Sequence, residues 1–176
     1  GCGARDHGPR IAEIRAQRLL TITGSGGCGK TRLALEVAWA ELDGSSDGVW
    51  WVELAPIGDP ERVAAELGQV IGLREEFGRP IVDTLADGLC EFDGLVVLDN
   101  CEHVLGGVRP LVDQLLRRCP TLHVLTTSRE PLGVTGETTW RVPSLDRDAG
   151  AELFVQRAHS ARPDFDPGDD ELGAIG

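Results

Sequence analysis

The 176 residues contain no methionine, a single lysine, and no apolar run near the ~18 residues that cross a bilayer. The missing methionine leads us to expect a piece of a longer chain. With no membrane-crossing run and no apolar stretch in Gly1–Arg10, neither a transmembrane helix nor a signal peptide is expected. An excess of positive charge is missing too: 29 acidic residues outweigh 17 basic ones, for a formal net charge of −12. Such a surface does not grip a phosphate backbone by overall charge, so no direct nucleic-acid contact is expected, and no membrane contact either. It leaves room for a small local phosphate pocket. Nor is there a Cys-x-x-Cys pair. Cys2, Cys28, Cys90, Cys101 and Cys119 are odd in number and scattered, which encodes neither a disulfide framework nor a zinc ribbon and points to a reducing cytoplasm. Repeats and low-complexity tracts are absent.

What remains is 41% hydrophobic and 26% charged, enough to bury the core of one ordinary domain. Pro9–Arg18 reads as a short lead-in helix. Leu19–Thr23 is a β-branched apolar run ending in glycines, hence a buried strand, and Lys30–Leu42 runs on without a breaker as a helix. A loop over Asp43–Gly48 precedes a second strand, Val49–Leu54, in which Trp50 and Trp51 point to opposite faces. Pro60–Ile71 and Ile81–Phe92 read as helices around a Gly72–Pro80 loop. Leu95–Leu98 is a third strand ending in Asp99-Asn100. A helix over Val104–Arg118 is expected to kink or split near Pro110. Strands at Leu122–Thr126 and Thr138–Val142 and a helix at Asp148–Ser160 follow. Apolar strands alternating with helices predict a three-layer α/β fold whose sheet is mostly parallel and covered on both faces. In such sheets ligands bind beyond the carboxyl ends of the strands. Three of those ends carry polar clusters: Gly24–Thr31, Asp99–His103 and Thr126–Arg129.

Gly24-Ser25-Gly26-Gly27-Cys28-Gly29-Lys30-Thr31 matches G-x-x-x-x-G-K-[ST], a pattern expected by chance on the order of 10⁻³ times in a chain of this composition. Its glycines let backbone N–H groups turn inward as a nest for phosphate oxygens, and the following helix adds the positive end of its dipole. Lys30 would reach the β- and γ-phosphates, and Thr31 would offer a hydroxyl to Mg²⁺. With Arg32, these residues form the expected nucleotide-binding set. Of the 17 basic residues 16 are arginine, so the one lysine sits where a compact ammonium fits and a broad guanidinium does not. The competing reading is a glycine-rich turn without a ligand.

Asp99, 68 residues after Thr31, ends an apolar strand as a Walker B carboxylate would, holding Mg²⁺ directly or through water. The alternative is an ordinary strand-to-helix cap, a role Asn100 could also take. Asn100 cannot accept a proton from an attacking water; Glu102 can, but lies three residues on, where its side chain is free to point elsewhere. Slow hydrolysis is therefore expected. Arg129 is suited to reading a γ-phosphate, or else it is a surface residue paired with Glu130. Lys30, Asp99, Glu102 and Arg129 are the candidate catalytic residues. Cys101, His103 and Cys119 fit no closed zinc site by spacing. Cys28 is either an oxidisable thiol at a helix N-terminus or simply a small residue that fits.

Leu20–Leu35, Gly48–Leu54, Leu95–Val104, Thr126–Gly133 and Trp140–Leu145 together resemble the STAND class of signal-transduction P-loop ATPases. In particular they are similar to the NB-ARC-like domain of bacterial LuxR/AfsR-type regulators, of which the run Asp99-Asn100-Cys101-Glu102-His103 is distinctive. The resemblance implies an ASCE-type sheet with the Thr126–Arg129 strand between those of the P-loop and Asp99. It also implies a sensor role for Arg129, and a switch between an ADP-bound closed state and an ATP-bound open, oligomerising one. The family's Gly-Arg-Glu and Gly-Leu-Pro-Leu segments have no clear counterpart here, so an incomplete adenine pocket is expected.

On this basis the chain divides into a lead-in helix over 1–18, a P-loop core over 19–145, and a segment over 146–176 holding a helix and the start of another. The expected function is an ATP/ADP-binding regulatory switch with Mg²⁺, a weak ATPase at most. It would work within a larger signal-transduction or transcription regulator, partnered by neighbouring domains or further copies. A small P-loop kinase, with Gly72–Pro80 and its Arg74 and Arg79 as lid, is one alternative. A vestigial interaction module is another.

Overall fold

Short apolar strands can be buried on both faces only if every backbone group is paired within a sheet and helices cover each side. The computed structural model, which describes residues 17–42, 44–74 and 76–142, shows that solution. Strands β1 (Leu19–Thr23), β2 (Val49–Glu53), β3 (Leu95–Asp99), β4 (His123–Ser128) and β5 (Glu137–Arg141) form one all-parallel sheet in the order β2-β3-β4-β1-β5. Helix α1 (Lys30–Leu42) packs on one face; α2 (Val63–Ile71), α3 (Ile81–Leu89) and α4 (Leu105–Arg118) pack on the other.

The pleat sorts side chains between the two cores. Along β3, Val96 and Leu98 face the larger core under α2–α4, while Leu95 and Val97 face α1. Trp50 and Trp51 split between the same two sides, as their alternation predicts. Inside the sheet, Thr126 of β4 donates to Thr21 of β1 at 2.8 Å, which satisfies two buried hydroxyls where those strands meet. The fourth strand runs further than expected, to Ser128, because it stays in register with β1 up to Thr23.

One expectation is corrected. The helix expected over Val104–Arg118 does not split at Pro110: α4 runs unbroken from Leu105 to Arg118 with the proline inside it. Proline forfeits one hydrogen bond, to the Gly106 carbonyl. The apolar face of Leu105, Val108, Leu111, Val112 and Leu115 is buried, and at roughly 1.5–3 kcal/mol per side chain that outweighs the loss. Gly107 also has a reason to be there. A 3₁₀ turn over Pro60–Arg62 lies so close that a β-carbon on Gly107 would fall 1.9 Å from the Pro60 carbonyl oxygen. The helices expected over Pro9–Arg18 (but for its last two residues) and over Asp148–Ser160, with the tail beyond, lie outside the described residues. Among the described residues, no helix is long and apolar enough to cross a membrane.

Gly107→Ala should force α4 away from Pro60 and cost about 1–3 kcal/mol of stability, read from the urea midpoint. An unchanged midpoint would show that this contact yields freely.

Candidate functional site

The ends of β1, β3 and β4 converge on one edge of the sheet. After Thr23 the chain turns through Gly24–Gly29 into α1, with Gly27 and Gly29 at φ of 75° and 94°, a region strained for residues with a β-carbon. Those two reversals let the loop coil tightly ahead of the helix. Lys30, the first residue of α1, is 8% exposed. Its ammonium donates back to the carbonyls of Gly24 (3.1 Å) and Ser25 (3.0 Å). The cation thus lies across the loop, held by its backbone.

Next along α1, the Thr31 hydroxyl shares its hydrogen between the two carboxylate oxygens of Asp99, at 3.0 and 3.1 Å. Asp99 closes β3 and is buried. A second hydroxyl reaches it from β4: Thr127 Oγ1 donates to Asp99 Oδ1 at 2.5 Å and accepts from the Asn100 N–H at 2.8 Å. Thr127 was not among the expected site residues. The hint was the hydroxyl run Thr126-Thr127-Ser128 at the end of an apolar strand, but only the strand order brings it to Asp99.

Asn100 adopts a left-handed conformation (φ 65°), alone among the non-glycine residues described. Its side chain caps nothing, contrary to one expectation; the residue instead swings the chain into a 3₁₀ turn over Cys101–His103. Both ends of that turn are pinned. Cys101 is fully buried and donates its thiol hydrogen to Leu98 O at 3.3 Å. His103 Nε2 lies 3.0 and 2.9 Å from the carbonyls of Leu54 and Ile57, two acceptors that require the proton on this nitrogen. Between them, Glu102 accepts from Arg129 Nε at 3.0 Å through Oε1, while its Oε2 is buried without a hydrogen-bond partner. The same guanidinium lies against the glycine loop: a β-carbon on Gly26 would sit 3.8 Å from Arg129 Nη2.

The structure therefore brings Lys30, Thr31, Asp99, Glu102 and Arg129 to one edge with the Gly24–Gly29 loop. Arg32 is exposed and paired with Glu36 at 3.3 Å. Arg129 does not pair with Glu130, which instead meets Arg109 at 3.5 Å. Cys28 is half-buried, and its sulfur stands 2.7 Å from where a Gly24 β-carbon would lie, so Gly24 is held without a side chain beside it. Cys101, His103 and Cys119 have separate partners, the Cys119 thiol lying 3.5 Å from Ala86 O, and no three His, Cys, Asp or Glu residues cluster for a metal among the described residues. Asp99 and Thr31 are a pair of hard oxygen donors, which suits Mg²⁺ with its retained waters.

No protein-family model matches the chain. A Mycobacterium tuberculosis protein named as a putative HTH-type transcriptional regulator is 44% identical over 167 residues, which is 94% of this chain and 19% of that protein. A second M. tuberculosis protein, uncharacterized by name, is 43% identical over 151 residues, 85% of this chain and 38% of its own length. The chain thus spans between a fifth and two fifths of the curated relatives it matches. Among solved structures, Cdc6p from Pyrobaculum aerophilum superposes with a TM-score of 0.60 at 15% identity, over 80% of this chain and 43% of that one. A Signal Transduction ATPase with Numerous Domains (STAND) protein with a tetratricopeptide repeat sensor, from Pyrococcus horikoshii, gives 0.53 at 18% identity over 94% and 26%. The Aeropyrum pernix ORC2 protein, solved as ADPNP–ADP complexes, gives 0.55 at 15% over 81% and 45%. The chain has the fold of the P-loop ATPases.

Thr127→Val should strand the Asn100 N–H and remove one donor from Asp99, lowering stability by about 1–3 kcal/mol before any ligand is added. Thermal unfolding of the bare chain reads this directly. The thiols give a second test. Burial, aided by the Asp99 and Glu102 carboxylates, pushes the Cys101 thiol well above its ordinary range, and burial first of all raises Cys119. Both should resist a thiol reagent that modifies exposed Cys90 in the native chain. Because their folded pKa is raised, they stay protonated while the unfolded chain begins to ionise near the ordinary value of 9.0. Their contribution to stability is full below that pH and declines above it. Denaturation midpoints from pH 8 to 10 check the sign.

Proposed function

We propose that the chain is the nucleotide-binding module of a larger regulatory protein, a switch that holds ADP or ATP with Mg²⁺ and hydrolyses ATP slowly or not at all. One observation carries it: Lys30 lies across the glycine loop while its neighbour Thr31 bonds both oxygens of Asp99, 68 residues away. A buried cation, a hydroxyl and a carboxylate in that order beside a helix N-terminus suit a phosphate chain with its counter-ion.

In this reading the Gly24–Gly29 N–H groups and the start of α1 receive phosphate oxygens, and Lys30 exchanges the Gly24 and Ser25 carbonyls for the β- and γ-phosphates. Thr31 and Asp99 would hold Mg²⁺, which when bound neutralises phosphate charge. Arg129, against the loop at Gly26, senses the γ-phosphate. Slow turnover follows from the residues after Asp99: Asn100 cannot take a proton, and Glu102 is engaged by Arg129. The identity to a mycobacterial regulator supports a regulatory setting, with output and sensing left to other parts of the full protein. Neighbouring domains or further copies are the proposed partners, the 19–145 core being the nucleotide-binding unit between a lead-in segment and the 146–176 segment. The kinase alternative gains no support, since Arg79 of its lid pairs with Glu76 and Asp87.

Stripped of bound ligand, the chain should bind Mg²⁺–ADP or Mg²⁺–ATP at micromolar levels by calorimetry and turn over ATP more slowly than about 0.01 s⁻¹. Lys30→Ala should abolish binding; unchanged affinity would refute this site.

A further inference from the structure

Glu102 and Arg129 form an unequal pair. The Glu102 side chain is 16% exposed, fixed between the anchored Cys101 and His103, whereas the Arg129 side chain is 68% exposed. The glutamate is the post and the arginine the arm. They meet through one hydrogen bond, Nε to Oε1 at 3.0 Å, not through the bidentate fork that makes arginine–carboxylate pairs tenacious. The second carboxylate oxygen is buried without a donor, so the arrangement is held but not saturated. Nη2 of the same guanidinium lies 3.8 Å from where a β-carbon on Gly26 of the glycine loop would stand.

Resting on the nucleotide-switch reading, we propose that Glu102 is a latch for Arg129: it parks the guanidinium beside the loop when no γ-phosphate is present and yields it when one arrives. Glu102 is thus a positioning residue and not the base that activates water. The exchange replaces one charge-assisted hydrogen bond by another on the same guanidinium, so it needs only a short movement of an exposed side chain. Its cost falls on ATP and not on ADP, because ADP puts no anion where Arg129 must go. The latch therefore biases the resting module toward the diphosphate.

The test is a double-mutant cycle on the 176-residue chain, measuring Mg²⁺–ADP and a non-hydrolysable Mg²⁺–ATP analogue in the wild type, Glu102→Gln, Arg129→Ala and the double variant. Glu102→Gln keeps the side-chain volume, and Arg129 is exposed, so each should fold; circular dichroism checks this. We expect Glu102→Gln to tighten the ATP analogue about three- to tenfold relative to ADP, with the gain gone once Arg129 is Ala. An unchanged ratio in Glu102→Gln would overturn the latch, and a fall in hydrolysis at that unchanged ratio would make Glu102 the water-orienting base instead. A gain that survives in the Arg129→Ala background would also overturn it, as simple relief of charge repulsion. Failure of the wild type to bind either nucleotide would overturn the switch reading itself, a result distinct from binding both with no shift.

Discussion

The edge of the sheet is organised around one carboxylate that the fold has taken out of water. Burying an unpaired carboxylate costs several kcal/mol, so Asp99 is tolerable only because donors converge on it from separate parts of the chain. Thr31 arrives from α1 and Thr127 from β4, while the Asp99 backbone carbonyl receives the Leu54 N–H beyond β2. These contacts fix the topology locally. β1, which leads into the glycine loop, and β3, which ends in Asp99, are not neighbours; β4 lies between them, a separation of about 10 Å. The first turn of α1 spans that gap from above, and the Thr127 hydroxyl fills it from within. Remove β4 from between them and Asp99 loses Thr127.

Much of this was legible in the residues, for identifiable reasons. Apolar runs ended by glycines or by Asp-Asn announce buried parallel strands, because only such strands tolerate a hydrophobic residue at every position. The single lysine among arginines marked a place with a steric demand, and the structure packs it against two carbonyls with little exposure. What could not be read locally was pairing across the fold. Glu130 adjoins Arg129 in sequence, yet a strand end sends consecutive side chains in different directions, and Arg129 finds Glu102 instead. Asn100 looked like a cap because its side chain suits that role. Its left-handed backbone does the work, bending the chain so that Glu102 faces the loop side of the sheet edge. A kink or split was expected near Pro110 because of the hydrogen bond that proline forfeits; the buried face on both sides of it carries the helix through without a split.

Two cations meet at an edge of a protein with a formal net charge of −12. Their different burial matters more than their number. Lys30 is almost withdrawn from water and rests on two backbone carbonyls of the loop, so its position belongs to the loop and costs little to keep. Arg129 keeps most of its surface in solvent, where a long side chain can be re-aimed without desolvating a charge afresh. A contact that must tell one ligand state from another is best built from the exposed cation, and one common to both nucleotides from the buried one. On the proposed reading, that division assigns affinity for the phosphate chain to Lys30. It assigns discrimination at the last phosphate to Arg129, whose charge partner Glu102 is held rigidly in the neighbouring turn. The rigidity of that turn, pinned by a buried thiol and a histidine shared between two carbonyls, is then what gives the exposed arm a defined resting place.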